Sequence, residues 1–310
     1  MEQQQGLQPV TSQLYMKDCI LCPRKCHVNR TQGRTGYCGM TDELAVARAA
    51  LHMWEEPCIS GEEGSGTVFF SGCSLGCVYC QNHNISRGKA GKIITVSRLA
   101  EIFLELQDKG ANNINLVTPG HYVPQIIDAI KLVRDYGLSI PLLYNSSGYE
   151  KVETLRNLEG YIDIYLPDLK YMDSDLAIRY SRCKDYFTFA SSAVTEMVRQ
   201  VGEPVFDERG IMKKGVIVRH LMLPGYLKDS KNIIEYLYHT YKDRIYISIM
   251  NQYTPMPGMN RYPEISRRIS EEEYEELIDY AISLGVENGF IQEGETASES
   301  FIPEFNGEGV

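Results

Sequence analysis

From about residue 67, short apolar runs alternate with longer segments in which apolar residues recur every three or four positions. The short runs are typical of buried strands, and the longer segments are typical of amphipathic helices. In residues 95–109, for example, Leu99, Phe103 and Leu106 share one helical face. The predicted strands are 67–70, 114–117, 140–144, 162–166, 215–223, 244–250 and 289–292, and the predicted helices are 95–109, 123–136, 149–158, 173–200, 229–242 and 270–284.

Strands that are separated by helices of this length predict an α/β fold with a parallel sheet built from βαβ units. A doubly wound sheet and an open or closed barrel both fit the alternation. Residues 1–60 lack it and are interpreted as a small cysteine-rich, metal-binding segment in front of an α/β domain of residues 61–293. Residues 294–310, which are rich in Gly, Glu and Ser, are interpreted as a loosely held C-terminal tail.

Composition narrows the class of protein. A chain of 310 residues with 43% apolar and 23% charged residues is typical of a globular protein with one large domain. Its apolar runs are shorter than the roughly 18 residues of a membrane span, and its N-terminus lacks the basic and apolar regions of a signal peptide. The net charge of -10 argues against broad nucleic-acid binding.

The nine cysteines fall into two groups and two single residues. Four lie between residues 19 and 38, three lie between residues 73 and 80, and Cys58 and Cys183 stand alone. A disulfide framework is typical of short secreted chains, whereas metal-bound or catalytic thiolates are typical of a reducing compartment. We therefore expect a cytoplasmic protein. Cys58 and Cys183 are expected to be small buried hydrophobic residues, with a hydrogen-relay thiol as the alternative role for Cys183.

Cys73, Cys77 and Cys80 form a Cys-x3-Cys-x2-Cys loop directly after the first predicted strand. These gaps let three thiolates converge on one iron–sulfur cluster, and neighbouring glycines give the backbone the freedom that a tight loop requires. Three protein ligands leave one iron of a cubane cluster open to a substrate or a cofactor. The alternative is a zinc knuckle that borrows a fourth ligand, for example His83.

The loop, with the aromatic Tyr79 before its last cysteine, resembles the signature of the radical S-adenosylmethionine (radical SAM) enzymes. Residues 54–61 and 69–82 resemble one branch more closely, the uncharacterised proteins similar to pyruvate formate-lyase activating enzyme. The resemblance implies a partial (β/α)6 barrel, a [4Fe-4S] cluster on the three cysteines, and S-adenosyl-L-methionine chelated by the open iron. It also implies reductive cleavage of SAM to a 5'-deoxyadenosyl radical, with electrons from a flavodoxin or a ferredoxin-type donor.

Polar segments, two of them with a glycine, follow four of the predicted strands, and a fifth strand carries Arg219 and His220. Strand ends of this kind are where a barrel carries its function. Because side chains alternate across a strand, only one of Arg219 and His220 faces inward, and we expect it to be Arg219. The four segments are 118–121, 145–148, 168–170 and 251–253.

The resemblance assigns cofactor contacts to these strand ends. Residues 119–121 stand where activating enzymes usually have Gly-Gly-Glu, so backbone carbonyls would take over the contact with the methionyl ammonium group. Asp168 and Lys170 match an Asp-x-Lys motif that contacts the ribose and the carboxylate, and Arg219 matches an arginine that pairs with the carboxylate. Without the resemblance, the first two could form an ordinary surface ion pair, and His121 could cap the next helix. The implied cofactor contacts are Tyr79, which would lie against the adenine, Gly120, His121, Asn145, Ser146, Asp168, Lys170 and Arg219.

The N-terminal cysteines, Cys19, Cys22, Cys26 and Cys38, are enough for a closed four-coordinate metal site. A zinc ion would stabilise a segment that is too small for a core of its own, whereas a second iron–sulfur cluster would give electrons a route to the first. The spacing fits both, since both metals accept four thiolates. A metal-free segment is the third interpretation, so the identity of this second metal site stays open.

Together these features predict a radical SAM oxidoreductase that abstracts hydrogen from a protein or peptide, with activation of a glycyl radical enzyme as one case. One alternative is a radical SAM enzyme for a small molecule or a nucleotide-derived substrate. Another is an iron–sulfur electron-transfer protein without SAM chemistry. The open iron favours an enzyme, because an electron carrier normally has four cysteines per cluster.

Overall fold

The computed structural model describes residues 12–88, 90–256, 258–292 and 303–310. The strands are β1 Leu44–His52, β2 Ser65–Phe70, β3 Lys92–Ile94, β4 Ile114–Val117, β5 Leu142–Ser146, β6 Ile164–Pro167, β7 Val205–Phe206, β8 Met212–Leu221, β9 Tyr246–Met250 and β10 Gly289–Ile291. The helices are α1 Ser12–Lys17, α2 Pro57–Ser60, α3 His83–Ser86, α4 Val96–Asp108, α5 Val123–Arg134, α6 Val152–Arg156, α7 Ser174–Ser181, α8 Tyr186–Val201, α9 Leu227–Tyr241 and α10 Glu271–Leu284.

The predicted parallel sheet is confirmed. Strands β2, β4, β5, β6, β8, β9 and β10 lie side by side in this order and run parallel. The order never reverses, whereas the order of a doubly wound sheet does. With right-handed crossovers, an unreversed order puts all the crossover helices on one side of the sheet. Within the described residues the path ends at β10 and β3 without closing, so the architecture is a partial barrel.

Successive residues of each strand point to opposite faces of the sheet, and the two faces belong to two different hydrophobic clusters. Val68, Leu116 and Val218 belong to the main core, which the crossover helices complete. A smaller cluster that includes Leu166 and Ile217 fills the inside of the barrel. Cys58 and Cys183 are buried in these two regions, as predicted.

Local signals explain where the helices begin and end. The Thr95 side chain accepts a hydrogen bond from the backbone of Arg98 and begins α4, and Ser270 forms a capping box with Glu273 at α10. The single helix predicted over 173–200 is wrong, because two helices, α7 and α8, occupy this stretch. Arg182 separates them with a left-handed backbone (φ 51°), which a right-handed helix cannot continue.

Part of the predicted N-terminal segment belongs to the sheet. Strand β1 pairs antiparallel with β2 along most of its length, with Val46 opposite Phe70 and His52 opposite Ser65. It also pairs antiparallel with β3. A boundary at residue 60 therefore does not separate an appendage from the barrel, because long-range strand pairing ties residues 44–52 to it.

The described end of the chain is held in place, so the expectation of a loosely held tail is wrong for residues 303–310. The backbone of Gly307 donates to the carbonyl of Ala47 (3.1 Å), and the backbone of Ala49 donates to the carbonyl of Glu308 (2.9 Å). The ring of Phe305 meets Phe69 edge to face. Backbone pairing needs no apolar side chains, which is why composition misses it. The remainder of the predicted tail, residues 294–302, lies outside the described residues.

No helix among the described residues combines the length and the apolar character that crossing a membrane requires.

Candidate cofactor and active site

The three-cysteine loop follows the carboxyl end of β2. The thiols of Cys73, Cys77 and Cys80 line a cavity of about 230 Å³, which we call the cofactor cavity. Gly72 (φ 88°) and Gly76 (φ 69°) give the loop its left-handed turns. A Cβ atom on Gly72 would come within 2.9 Å of the Cys38 carbonyl oxygen, so the loop also needs glycine for close packing.

The electrostatics of the loop fit an iron–sulfur cluster. Burial, together with the neighbouring thiols, raises the pKa of Cys73, and raises that of Cys80 to about 12. Thiolates that lie this close together repel one another unless a metal centre neutralises their charges. The Ser181 hydroxyl donates to the Cys77 sulfur (3.1 Å), and the Leu75 backbone donates to the Cys73 sulfur (3.4 Å). Hydrogen bonds to sulfur are among the features that tune such clusters.

The carboxyl ends of the next strands bring polar side chains to the same cavity. Asn145 and Ser146 lie on β5, Asp168 and Lys170 follow β6, and Arg219 lies on β8. These strands are neighbours in the sheet and run parallel, so their carboxyl ends meet on one edge. Tyr79 also lines the cavity, where its ring packs against those of other tyrosines and its hydroxyl lies 2.6 Å from that of Tyr171.

Asp168 lies between two cations. Its Oδ2 is 2.7 Å from Lys170 Nζ, and its Oδ1 is 3.2 Å from Arg219 Nε. Burial alone would raise the pKa of Asp168, but the two cations outweigh it and hold this pKa below its usual value. Burial alone would likewise lower the pKa of Lys170, and Asp168 reverses the direction. All three groups are therefore charged at neutral pH, as a site for a zwitterionic ligand requires.

The neighbouring His220 has a different role. Arg219 faces the cofactor cavity, as the alternation predicts, and His220 points to the opposite side of β8. There its Nδ1 lies 2.8 Å from the Leu169 carbonyl oxygen and its Nε2 lies 2.9 Å from the Ser230 hydroxyl. Burial lowers the pKa of His220 to about 4, so it is a neutral packing residue at pH 7.

Two predicted residues lie elsewhere. Gly120 and His121 belong to a short 3-10 turn and do not line the cofactor cavity. His121 Nε2 is bound to the Ser71 carbonyl oxygen (2.7 Å), and burial, then Arg30, lowers its pKa to about 3. A Cβ atom on Gly120 would meet the Glu150 carboxylate at 2.7 Å. The turn after β4 therefore packs into the protein body, while the other six predicted cofactor residues meet in the cavity.

Glu55 also belongs to this charge network, and no pattern in the sequence predicts it. Its Oε2 lies 3.1 Å from Arg219 Nη1, and its Oε1 accepts hydrogen bonds from Asn115 (3.0 Å) and Asn145 (3.4 Å). Glu55 lies in residues 54–61, which the sequence connects only with the family resemblance. Its place inside the barrel follows from the pairing of β1 with β2, which no local pattern reveals.

The N-terminal cysteines lie close to the cofactor loop. The thiols of Cys19, Cys22 and Cys38 are buried, Cys26 is half-buried, and none forms a disulfide. Arg24 Nε donates to the Ser74 carbonyl oxygen (2.9 Å), so the two cysteine segments are in direct contact.

The arrangement of the thiols leaves the second metal site a prediction. In the part of the chain that the structure describes, no group of three or more His, Cys, Asp or Glu side chains is arranged to hold a single metal ion. A cubane cluster is wider than one ion, so its cysteines need not converge on one point. The metal at the N-terminal cysteines is therefore still inferred from their spacing.

The partial barrel and its cysteine loop define a class of iron–sulfur enzyme. The sequence profile of the Radical SAM superfamily matches residues 67–237, more than half of the chain. The protein belongs to the radical SAM superfamily, and this membership implies a [4Fe-4S] cluster and SAM. The cysteine loop and the charged strand ends fit both groups.

The chain is also similar to two curated proteins and to a solved structure. An uncharacterised protein of Methanocaldococcus jannaschii is 30% identical over 272 residues, which are 86% of this chain and 74% of that protein. Pyruvate formate-lyase-activating enzyme of Clostridium pasteurianum is 25% identical over 213 residues, 64% of this chain and 79% of that enzyme. The crystal structure of a radical SAM methyltransferase from Sphaerobacter thermophilus shares the fold, with a TM-score of 0.52 at 14% identity over 74% of this chain and 67% of that chain.

Proposed function

We propose that the protein cleaves SAM reductively to methionine and a 5'-deoxyadenosyl radical, and that it abstracts hydrogen from a protein or peptide substrate. Activation of a glycyl radical enzyme is one case. The observation that carries the proposal is the meeting of Cys73, Cys77 and Cys80 with Asp168, Lys170 and Arg219 in one cavity. When bound, the cluster and SAM supply the electron transfer and the radical.

The chain's own residues bind and orient the cofactors in this proposal. The three cysteines hold the cluster, and Lys170 and Arg219 provide positive charge for the SAM carboxylate. Asp168 keeps both cations in place and offers an acceptor to a ribose hydroxyl. The buried tyrosines around Tyr79 limit the access of water to this side of the cavity.

The proposed substrate class has separate support. The similarity to pyruvate formate-lyase-activating enzyme of Clostridium pasteurianum favours a protein or peptide. A second cavity of about 360 Å³ adjoins the cofactor cavity, and it is large enough for one side chain or one small molecule. Because a cavity of this size also accommodates a small molecule, we propose a small-molecule substrate as the second candidate. We also propose a flavodoxin or ferredoxin-type electron donor and a cytoplasmic location, for which the nine free thiols are the support.

An anaerobic assay tests the reaction. Protein that is loaded with iron and sulfide, reduced with dithionite and mixed with SAM is expected to form 5'-deoxyadenosine slowly without any substrate. Chromatography with mass detection measures the product. A cluster-loaded protein that forms no 5'-deoxyadenosine would contradict the proposal.

The second metal site has its own test. We propose that the N-terminal cysteines hold a metal centre, and their contact with the cofactor loop supports an electron route as much as their spacing supports structural zinc. The variant with Cys73, Cys77 and Cys80 replaced by alanine is expected to retain about one zinc or about four irons. Adding Cys22→Ala is expected to remove this metal. Metal analysis and the iron–sulfur absorption distinguish the two metals, and a metal-free triple variant would contradict the site.

A further inference from the structure

The second cavity lies beside the cofactor cavity. Both cavities are lined by Asn145, Arg219 and Met250, so a ligand in one lies directly against a ligand in the other. Phe69 and Phe290 contribute apolar walls to the second cavity. This composition suits a ligand with a hydrocarbon part whose reacting carbon faces the cofactor cavity.

One carboxylate in this cavity lacks a full set of partners. Glu56 is only 8% exposed, and its Oε2 has no hydrogen-bond partner in the described part of the protein. The neighbouring Glu55, in contrast, contacts Arg219, Asn115 and Asn145. A buried carboxylate oxygen without a partner is costly, so its presence next to a cavity points to a ligand that completes it.

The charges around the cavity are unbalanced in the same direction. Glu55 and Glu56 line the second cavity together with one cation, Arg219, whereas Asp168 and Lys170 line the adjoining cofactor cavity as an ion pair. Both cations are engaged by Asp168, and Arg219 is also engaged by Glu55. Glu56 has no ion-pair partner among the described residues, and burial raises its pKa while Arg219 only partly opposes the effect, so a cation beside Glu56 would favour its charged form.

We propose that the second cavity binds a cationic group of the substrate, an ammonium or a guanidinium carried on an aliphatic chain, through the Glu56 carboxylate. The apolar walls that Phe69 and Phe290 contribute hold the aliphatic part. This inference rests on the proposed function and names the substrate class of that site. Lysine-like and arginine-like side chains and free amines share this chemistry.

Two small probes test the proposal without requiring the natural substrate. The cluster-loaded, oxidised protein with SAM bound is titrated calorimetrically with n-hexylammonium and with 1-hexanol, which have the same chain and differ in charge. We expect wild type to bind the ammonium at least about tenfold more tightly, since a hydrogen bond to a charged group is stronger than one between neutral groups. Equal affinity for the two probes would overturn the proposal, and this comparison needs no variant.

A pair of variants assigns the effect to Glu56. Glu56→Gln is expected to weaken hexylammonium binding about tenfold and to leave hexanol binding unchanged. Glu62→Gln removes an exposed carboxylate on the nearby turn and is expected to change neither affinity. A preference for the cation that survives Glu56→Gln would contradict the role of Glu56.

The two assays separate this inference from the proposed function. If 5'-deoxyadenosine forms but hexylammonium does not bind, only this inference fails. If hexylammonium binds but no 5'-deoxyadenosine forms, only the proposed function fails.

Discussion

Replacing Cys77 by alanine is expected to abolish the formation of 5'-deoxyadenosine from SAM. The thiol lines the cofactor cavity and accepts a hydrogen bond from Ser181, and no other cysteine lies between Cys73 and Cys80 to replace it. Loss of an outer-shell partner alone typically lowers metal affinity or activity 10- to 100-fold, so the loss of a cluster ligand should exceed about 100-fold. The anaerobic assay measures the rate, and the iron–sulfur absorption measures the cluster.

Cys183→Ala is the matched control. It also removes one buried thiol, but Cys183 packs in the main core and its sulfur donates to Asp185 instead of facing the cofactor cavity. The control is expected to keep the wild-type rate and the wild-type absorption. Equal rates in Cys77→Ala and wild type would contradict the assignment of the loop, whatever the state of the N-terminal cysteines.

Local patterns are sufficient to predict most of the cofactor cavity. The cysteine loop depends only on spacing within eight residues, and the inward direction of Arg219 depends only on alternation along β8. The positions of Asn145 and Asp168 follow from the rule that parallel strands end on one edge. Each of these inferences uses either a short stretch of chain or the topology that the βαβ alternation implies.

The features that sequence reasoning missed depend on contacts between distant segments. Glu55 precedes the parallel strands, and it enters the site because β1 is added antiparallel to β2. The backbone of Gly307 pairs with β1 regardless of side-chain identity, which hides the contact from composition. His121 turns inward because the Ser71 carbonyl and Arg30 bind it there. A Pro-Gly-His pattern does not show which way its histidine points.

The charged network fixes the positions of the polar side chains in the site. Arg219 contacts Asp168, Glu55 and Asn145, and these residues come from β5, β8, the end of β6 and the segment after β1. One guanidinium thus holds four segments of the barrel at fixed distances. A fork-shaped cation is suited to this role because its donors point in fixed directions, whereas a lysine offers a single flexible charge.

Arg219→Ala is therefore expected to lower the free energy of unfolding by about 3–5 kcal/mol, the cost of leaving buried charges without their partner. Arg209→Ala is the control, since Arg209 also pairs with two carboxylates, Glu63 and Asp207, but is half exposed, so a much smaller loss is expected. Urea unfolding followed by circular dichroism measures both.

The same network predicts how stability depends on pH. Lys170 and Arg219 hold the pKa of Asp168 below its usual value, so Asp168 contributes stability above the usual pKa of an aspartate, and this contribution is lost as the pH falls. The difference between wild type and Arg219→Ala should shrink in that acid range. A loss as small as that of Arg209→Ala at neutral pH would show that the network does not hold the barrel together.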